Sequence, residues 1–121
     1  MKVVQIDDDI VNNMAVERLS RKAGYTNDFI NFTDPTEALN FFKTEKVEAD
    51  LIILDINMPK LSGWDLLEHF TILNINIPIV MVTSSLDVRE RKRAADHPLI
   101  KGFFVKPLSV DTFKEIIEKV N

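Results

Sequence analysis

Apolar and polar positions along this chain alternate between two periods, and the change of period marks out ten segments. "KVVQI" at 2–6 is a short β-rich run that stops at Asp7, Asp8 and Asp9. In "IVNNMAVERLSRKAG" at 10–24, Val11, Met14, Ala15 and Leu19 supply apolar positions near helical spacing, and Gly24 is a stop signal. "DFINF" at 28–32 reads as a second strand. "DPTEALNFF" predicts a helix with Asp34 as N-cap, Pro35 at the first helical position and Glu37 at the capping-box position, its stripe made by Ala38, Leu39 and Phe42. "LIIL" at 51–54 is the third strand, followed by the helix "GWDLLEHFTIL", in which Leu66, Leu67, Phe70 and Leu73 are spaced to face a core. "IPIVMV" at 77–82 is the fourth strand, opened by Pro78, which a strand tolerates at its start. "LDVRERKRAAD" is a polar helix that stops before Pro98. "KGFFV" at 101–105 is the fifth strand, and the last helix carries Val110, Phe113, Ile116, Ile117 and Val120 on one stripe behind a Ser109 cap.

The order is strand then helix, five times over. Such alternation implies βαβ units and a parallel sheet covered on both faces, an α/β fold. The near-continuous apolar runs at 51–54 and 79–82 suit central strands of that sheet. Right-handed crossovers return the chain to the same starting edge each time, so the carboxyl ends of all five strands share one edge. In open α/β sheets that edge is where sites are built.

Composition narrows the classes. At 121 residues and 45% hydrophobic, the chain suits one packed domain, 1–121, with no linker or low-complexity stretch. A formal charge of −4 argues against a nucleic-acid binder. The basic residues Arg89, Arg91, Lys92 and Arg93 are interspersed with Asp87, Glu90 and Asp96. Without cysteine there are no disulfides, thiolate metal sites or Cys nucleophiles. The amino terminus does not read as a signal peptide, and no apolar run approaches the ~20 residues of a membrane span. A soluble, cytoplasmic protein with no membrane partner is expected.

The strand ends hold the chemistry. The first ends in Asp7-Asp8-Asp9, the third in Asp55, the fourth in Thr83-Ser84-Ser85 and the fifth in Lys106-Pro107. If those strands are neighbours, carboxylates, a hydroxyl and an ammonium converge. Clustered carboxylates raise one another's pKa unless a cation intervenes. Mg²⁺ suits them, because it takes oxygen ligands and is commonly held by one or two carboxylates with waters and phosphate oxygens. With a Lys and a Thr hydroxyl added, the site has the parts for phosphoryl transfer. A carboxylate can itself be the nucleophile and form an acyl phosphate, and Asp55 is the best-placed candidate.

The motifs "IDDD", "ILDINMPKLSG", "VTSS" and "FFVKP", in this order and at strand ends, resemble the receiver domain of two-component response regulators over essentially the full length. The resemblance implies a flavodoxin-like (βα)5 fold with strand order 2-1-3-4-5. It implies that Asp55 is the phosphoacceptor, that Asp7, Asp8, Asp55 and the Asn57 carbonyl hold Mg²⁺, and that Asp8 binds it directly. It further implies that Lys106 pairs with the acceptor and then with the phosphoryl group. Thr83 and the Ser84 N–H contact that group, Phe103 is the switch aromatic, and Pro107 follows a cis peptide. The donor would be a histidine kinase or histidine phosphotransfer protein, and the chain would act as a stand-alone receiver without an output domain. Three features depart from the family's usual pattern. Phe103 stands where Tyr is frequent, "DHPLIKG" replaces a small Gly-Ala turn, and Asp9 extends the acidic pair to three.

Plainer roles compete for some of these residues. Asp9 is expected to be an N-cap. Ser84 and Ser85 can cap the fourth helix, Trp64 can pack at a helix start, and Phe41 and Phe42 suit the core. His69 and His97 lack ligand-like spacing. The helix at 87–96 has few apolar residues (Val88, Ala94, Ala95), so it is expected to be weakly anchored and to shift on phosphorylation. With the fifth strand and last helix it would form a partner surface over 87–120. The alternatives are a protein-binding pseudo-receiver, a flavin module and a Mg²⁺-dependent aspartyl phosphatase. The phosphatase wants a second Asp where this chain has Asn57, and the flavin module wants a phosphate loop where it has three acids.

Overall fold

Each β-rich run forms a strand and each helical segment a helix. The order is β1 (Lys2–Ile6), α1 (Ile10–Lys22), β2 (Asp28–Phe32), α2 (Pro35–Thr44), β3 (Leu51–Asp55), α3 (Gly63–Ile72), β4 (Ile79–Thr83), α4 (Val88–Ala95), β5 (Ile100–Val105) and α5 (Val110–Val120). The computed structural model describes residues 1–120. Three boundaries differ slightly from the sequence expectation. β3 takes in Asp55, β4 starts at Ile79 and takes in Thr83, and β5 begins at Ile100. Pro78 lies just before β4 and has no N–H to give, but its carbonyl accepts from Ile52 N at 2.9 Å.

The strands form one parallel sheet in the order β2-β1-β3-β4-β5. The expected α/β, flavodoxin-like arrangement therefore holds. Strand order reverses between β1 and β3, and such a switch point opens a crevice at the carboxyl ends. Every residue of β3 and β4 is buried, as their unbroken apolar runs require.

Alternation along the strands divides the core in two. Val4, Ile6, Ile52, Leu54, Ile79 and Met81 face α2, α3 and α4, where Leu39, Phe42, Leu66, Leu67 and Phe70 meet them. Val3, Leu51, Ile53, Val80 and Val82 face the other way, onto Val16 of α1 and Phe113, Ile116 and Ile117 of α5.

The helix starts are mostly as read. Asp9 caps α1, accepting from Val11 N and Asn12 N, and Ser109 Oγ accepts from Thr112 N at 3.0 Å ahead of α5. Asp34 caps α2 with Pro35 behind it, but Thr36 completes that cap through both its N–H and its hydroxyl, not Glu37. Ser62 and Asp65 form a full capping box on α3. The N-cap of α4 is Asp87, not Ser84 or Ser85, and only Ala94 of that helix is buried.

Of the four apolar positions read in α1, Leu19 packs against the core but the other three do not. Val11 and Met14 of α1 lie outward, 70% and 56% exposed, and Ala15 is exposed too. The helix instead buries Asn13, Val16 and Ser20. Asn13 is turned in because its amide bonds the Asp7 carbonyl at 3.0 Å, and the Asn13 carbonyl accepts from Gln5 Nε2 at 3.2 Å. Ser20 is held by Asn27 Nδ2 at 2.8 Å. Among the described residues, no helix is long and apolar enough to cross a membrane.

Candidate functional site

The switch point gathers the acids. β1 and β3 are paired in register with Ile6 beside Leu54, so Asp7 and Asp55 emerge side by side. Asp7 is 1% exposed and Asp55 4%, while Asp8 points to solvent. Each of the three brings a carboxylate oxygen to within 4.8 Å of the others. Gly63 shapes the floor from below. Its N–H donates to the Ile56 carbonyl at 2.7 Å, and a Cβ there would stand 2.5 Å from the Asp55 carbonyl oxygen. Any side chain at 63 would push α3 off the end of β3.

Lys106 enters from β5. Its backbone N–H donates to the Thr83 carbonyl at 2.7 Å, and the peptide between Lys106 and Pro107 is cis, as expected. Its Nζ lies 2.6 Å from Asp7 Oδ2 and 3.2 Å from Asp55 Oδ1. The lysine thus bridges both buried acids, and the shorter contact is to Asp7. Thr83 is fully buried at the end of β4, and its Oγ1 accepts from Ser85 N at 3.0 Å. The Ser85 hydroxyl in turn accepts from Asp87 N at 3.1 Å, which links Thr83 to the cap of α4.

The charges do not balance. Three carboxylates against one ammonium leave a formal −2. Burial, and then the Asp7 charge, push Asp55 up to about 6, and Lys106 only partly opposes them. Burial pulls the Lys106 ammonium down, but its bond to Asp7 and the charges of Asp55 and Asp7 hold it above the ordinary lysine value. A divalent cation would relieve this deficit. The oxygen-only donor set suits Mg²⁺, and carboxylate oxygens that all lie within 4.8 Å of one another are close enough to converge on one cation. The residues therefore fit the metal.

The remaining candidates surround this centre. Asn57 is exposed one residue past Ile56, whose carbonyl Gly63 already occupies. Ser84 lies between Thr83 and Ser85, on the same edge. Phe103 sits half-buried on β5 beside Met81, with the Arg91 guanidinium 5.1 Å over its ring. Trp64 packs at the start of α3 under Arg93, at 4.3 Å. His69 and His97 are half-buried and join no metal-like cluster among the described residues.

Sequence reasoning missed two residues. Asn12 Nδ2 donates to Asp7 Oδ2 at 2.8 Å, and Asn13 holds the Asp7 carbonyl. The available signal was a pair of asparagines in the first turns of a helix, a place they do not favour without a partner.

Comparison with known proteins settles the family. The family model for the response regulator receiver domain matches residues 3–118. The chain belongs to the response regulator receiver domain family. It is 30% identical over 122 residues to the chemotaxis protein CheY-3 of Vibrio cholerae, covering 99% of this chain and 91% of that protein. It is 31% identical over 124 residues to the probable transcriptional regulator ycf27 of Porphyridium aerugineum, covering 99% of this chain but spanning only 49% of that relative. Among solved structures, the two-component response regulator from Cytophaga hutchinsonii superposes with a TM-score of 0.85 at 25% identity, covering 98% of this chain and 95% of that one. The Vibrio cholerae chemotaxis protein CheY4 gives 0.78 at 27% identity, covering 99% and 98%. The receiver domain thus shares both fold and family with proteins of two-component signalling.

Proposed function

We propose that residues 1–121 work as one receiver unit that accepts a phosphoryl group on Asp55 from a phosphohistidine of a histidine kinase or histidine phosphotransfer protein. One observation carries this reading: Lys106 bridges two buried carboxylates, Asp7 and Asp55, with Asp8 beside them. An ordinary ion pair needs one acid, and a surplus of buried charge is the mark of a functional site.

In the transfer, a carboxylate oxygen of Asp55 attacks phosphorus. The bond from phosphorus to the donor imidazole nitrogen breaks and leaves its electron pair on that nitrogen, and an acyl phosphate forms. Asp55 must be ionised to act; burial and the Asp7 charge oppose this in the metal-free site, where they raise it to about 6, and a cation beside it would favour the ionised form. Asp7, Asp8, Asp55 and the Asn57 carbonyl would hold Mg²⁺. The bound metal supplies charge neutralisation at the phosphoryl oxygens. Lys106 Nζ turns toward the new phosphoryl oxygens, and the Thr83 hydroxyl and the Ser84 N–H donate to them.

The switch follows from the links already described. Thr83 Oγ1 holds Ser85 N, Ser85 Oγ holds Asp87 N, and Asp87 caps α4. Drawing Thr83 toward a phosphoryl group pulls on the first bond of that chain. At the far end stands a helix with one buried side chain, which opens at little cost. Phe103 then turns inward, and the surface over 87–120 changes for a protein partner. On this reading the unit is no enzyme toward other molecules: the phosphoryl group it accepts ends on its own Asp55 and is later lost to water.

The test is intact mass after incubation with Mg²⁺ and a small acyl-phosphate donor, beside Asp55→Ala. A single metal-dependent phosphoryl adduct, absent from the variant, is expected. Failure to bind Mg²⁺ and to gain an adduct would favour a protein-binding pseudo-receiver.

A further inference from the structure

Three groups bond the Asp7 carboxylate, and they are unequal in permanence. Lys106 Nζ and Asn12 Nδ2 share its Oδ2, at 2.6 and 2.8 Å, and Asp9 N donates to Oδ1 at 2.9 Å. Asn13 Nδ2 takes the Asp7 carbonyl at 3.0 Å. Of the two groups on Oδ2, Lys106 also reaches Asp55, at 3.2 Å. Any new negative charge on Asp55 competes for it. Among the described residues Asn12 Nδ2 has no such second partner, and its amide, carried on the first turns of α1, is aimed at Asp7.

A carboxylate 1% exposed cannot lose a charged donor without cost, because water does not replace it. We infer that Asn12 is the positioning residue for Asp7: it holds that carboxylate in place for the cation, and goes on holding it once Lys106 turns to Asp55. This rests on the reading of Asp7, Asp8 and Asp55 as a Mg²⁺ site. Lys106 neutralises the site, while Asn12 fixes its geometry without adding charge. Groups that orient a metal-binding carboxylate commonly change metal affinity ten-fold or more when removed.

The experiment is Mg²⁺ titration by calorimetry on the wild-type chain, Asn12→Leu and Met14→Ala, with thermal unfolding of each metal-free protein alongside. Leu keeps the approximate size of Asn12 and removes its donor. Met14 lies two residues further along the same helix, is exposed, and serves as the control. The inference expects Asn12→Leu to bind Mg²⁺ about ten-fold more weakly, with a metal-free unfolding midpoint close to wild type and Met14→Ala unchanged in both. Wild-type affinity in Asn12→Leu would overturn the inference and leave the receiver reading intact. An affinity loss matched by a collapse of the metal-free midpoint would overturn it too, as a purely structural effect. No Mg²⁺ binding by the wild-type chain would remove the site reading and the inference with it.

Discussion

Helices α1 and α3 cover opposite faces of the same sheet and bury opposite chemistry. α3 turns Trp64, Leu66, Leu67 and Phe70 inward and starts on a glycine pressed against the end of β3. α1 turns Asn13, Val16 and Ser20 inward and leaves Ile10, Val11 and Met14 in solvent. The difference lies in what each helix must hold. α3 seals a core and needs only area. α1 follows the acidic loop directly, and its first two turns supply the amides that fix Asp7. Hydrogen bonds to that loop outweigh the area its apolar side chains would bury.

The contrast can be broken most forcefully at Phe70. Phe70→Ala should destabilise the fold by about 3–5 kcal/mol in urea unfolding, since the ring is fully buried and packs 4.7 Å from Phe42. A loss below 1 kcal/mol would mean that α3 is not the main seal. Next comes Asn13→Ala, which leaves the Asp7 carbonyl without its amide donor and should cost about 1–3 kcal/mol by the same assay.

Smaller effects sharpen the point. Asp55 is raised to about 6 by burial and by Asp7, so its ionisation costs stability. The folded state holds the Asp55 proton more tightly than the unfolded chain does. The associated stability is therefore complete below the unfolded value of 3.8 and is lost as pH rises through about 6. Asp55→Asn should thus stabilise the metal-free protein by about 1 kcal/mol at pH 7.5, because the loss of its Lys106 contact offsets part of the gain. The gain should shrink toward zero near pH 4. Unfolding curves of both proteins between pH 4 and 7.5 check this, and a gain that grows on acidification would contradict it. Smallest of all, Met14→Ala should fall within about 0.5 kcal/mol of wild type, despite removing an apolar side chain from a helix. Asn13 mattering more than Met14 would invert the hydrophobicity ranking, as the comparison requires.

Much of this was legible in the chain. The five strands, the acids at the ends of β1 and β3, the hydroxyl after β4 and the lysine after β5 all follow from local pattern. So do the caps at Asp9, Asp34 and Ser109, because a cap bonds its own helix. The face of α1 was misread because periodicity weighs area alone, and here the decisive partners are Gln5 and Asp7 on the preceding strand and loop. The cap of α4 was misplaced by two residues because Ser85 bonds Asp87 N and so delays the helix. Asn12 went unnoticed because its role exists only once Asp7 is turned toward it.

By itself, then, the amino-acid order determined which residues end each strand, and with that the inventory of the site. Side-chain alternation and short βα connections leave few other arrangements. Only the tertiary structure decided that Lys106 leans on Asp7 more closely than on Asp55, that two asparagines secure that acid, and that α1 faces inward with its polar side. Those outcomes depend on distances between residues far apart in the chain, where burial magnifies each charge and each hydrogen bond.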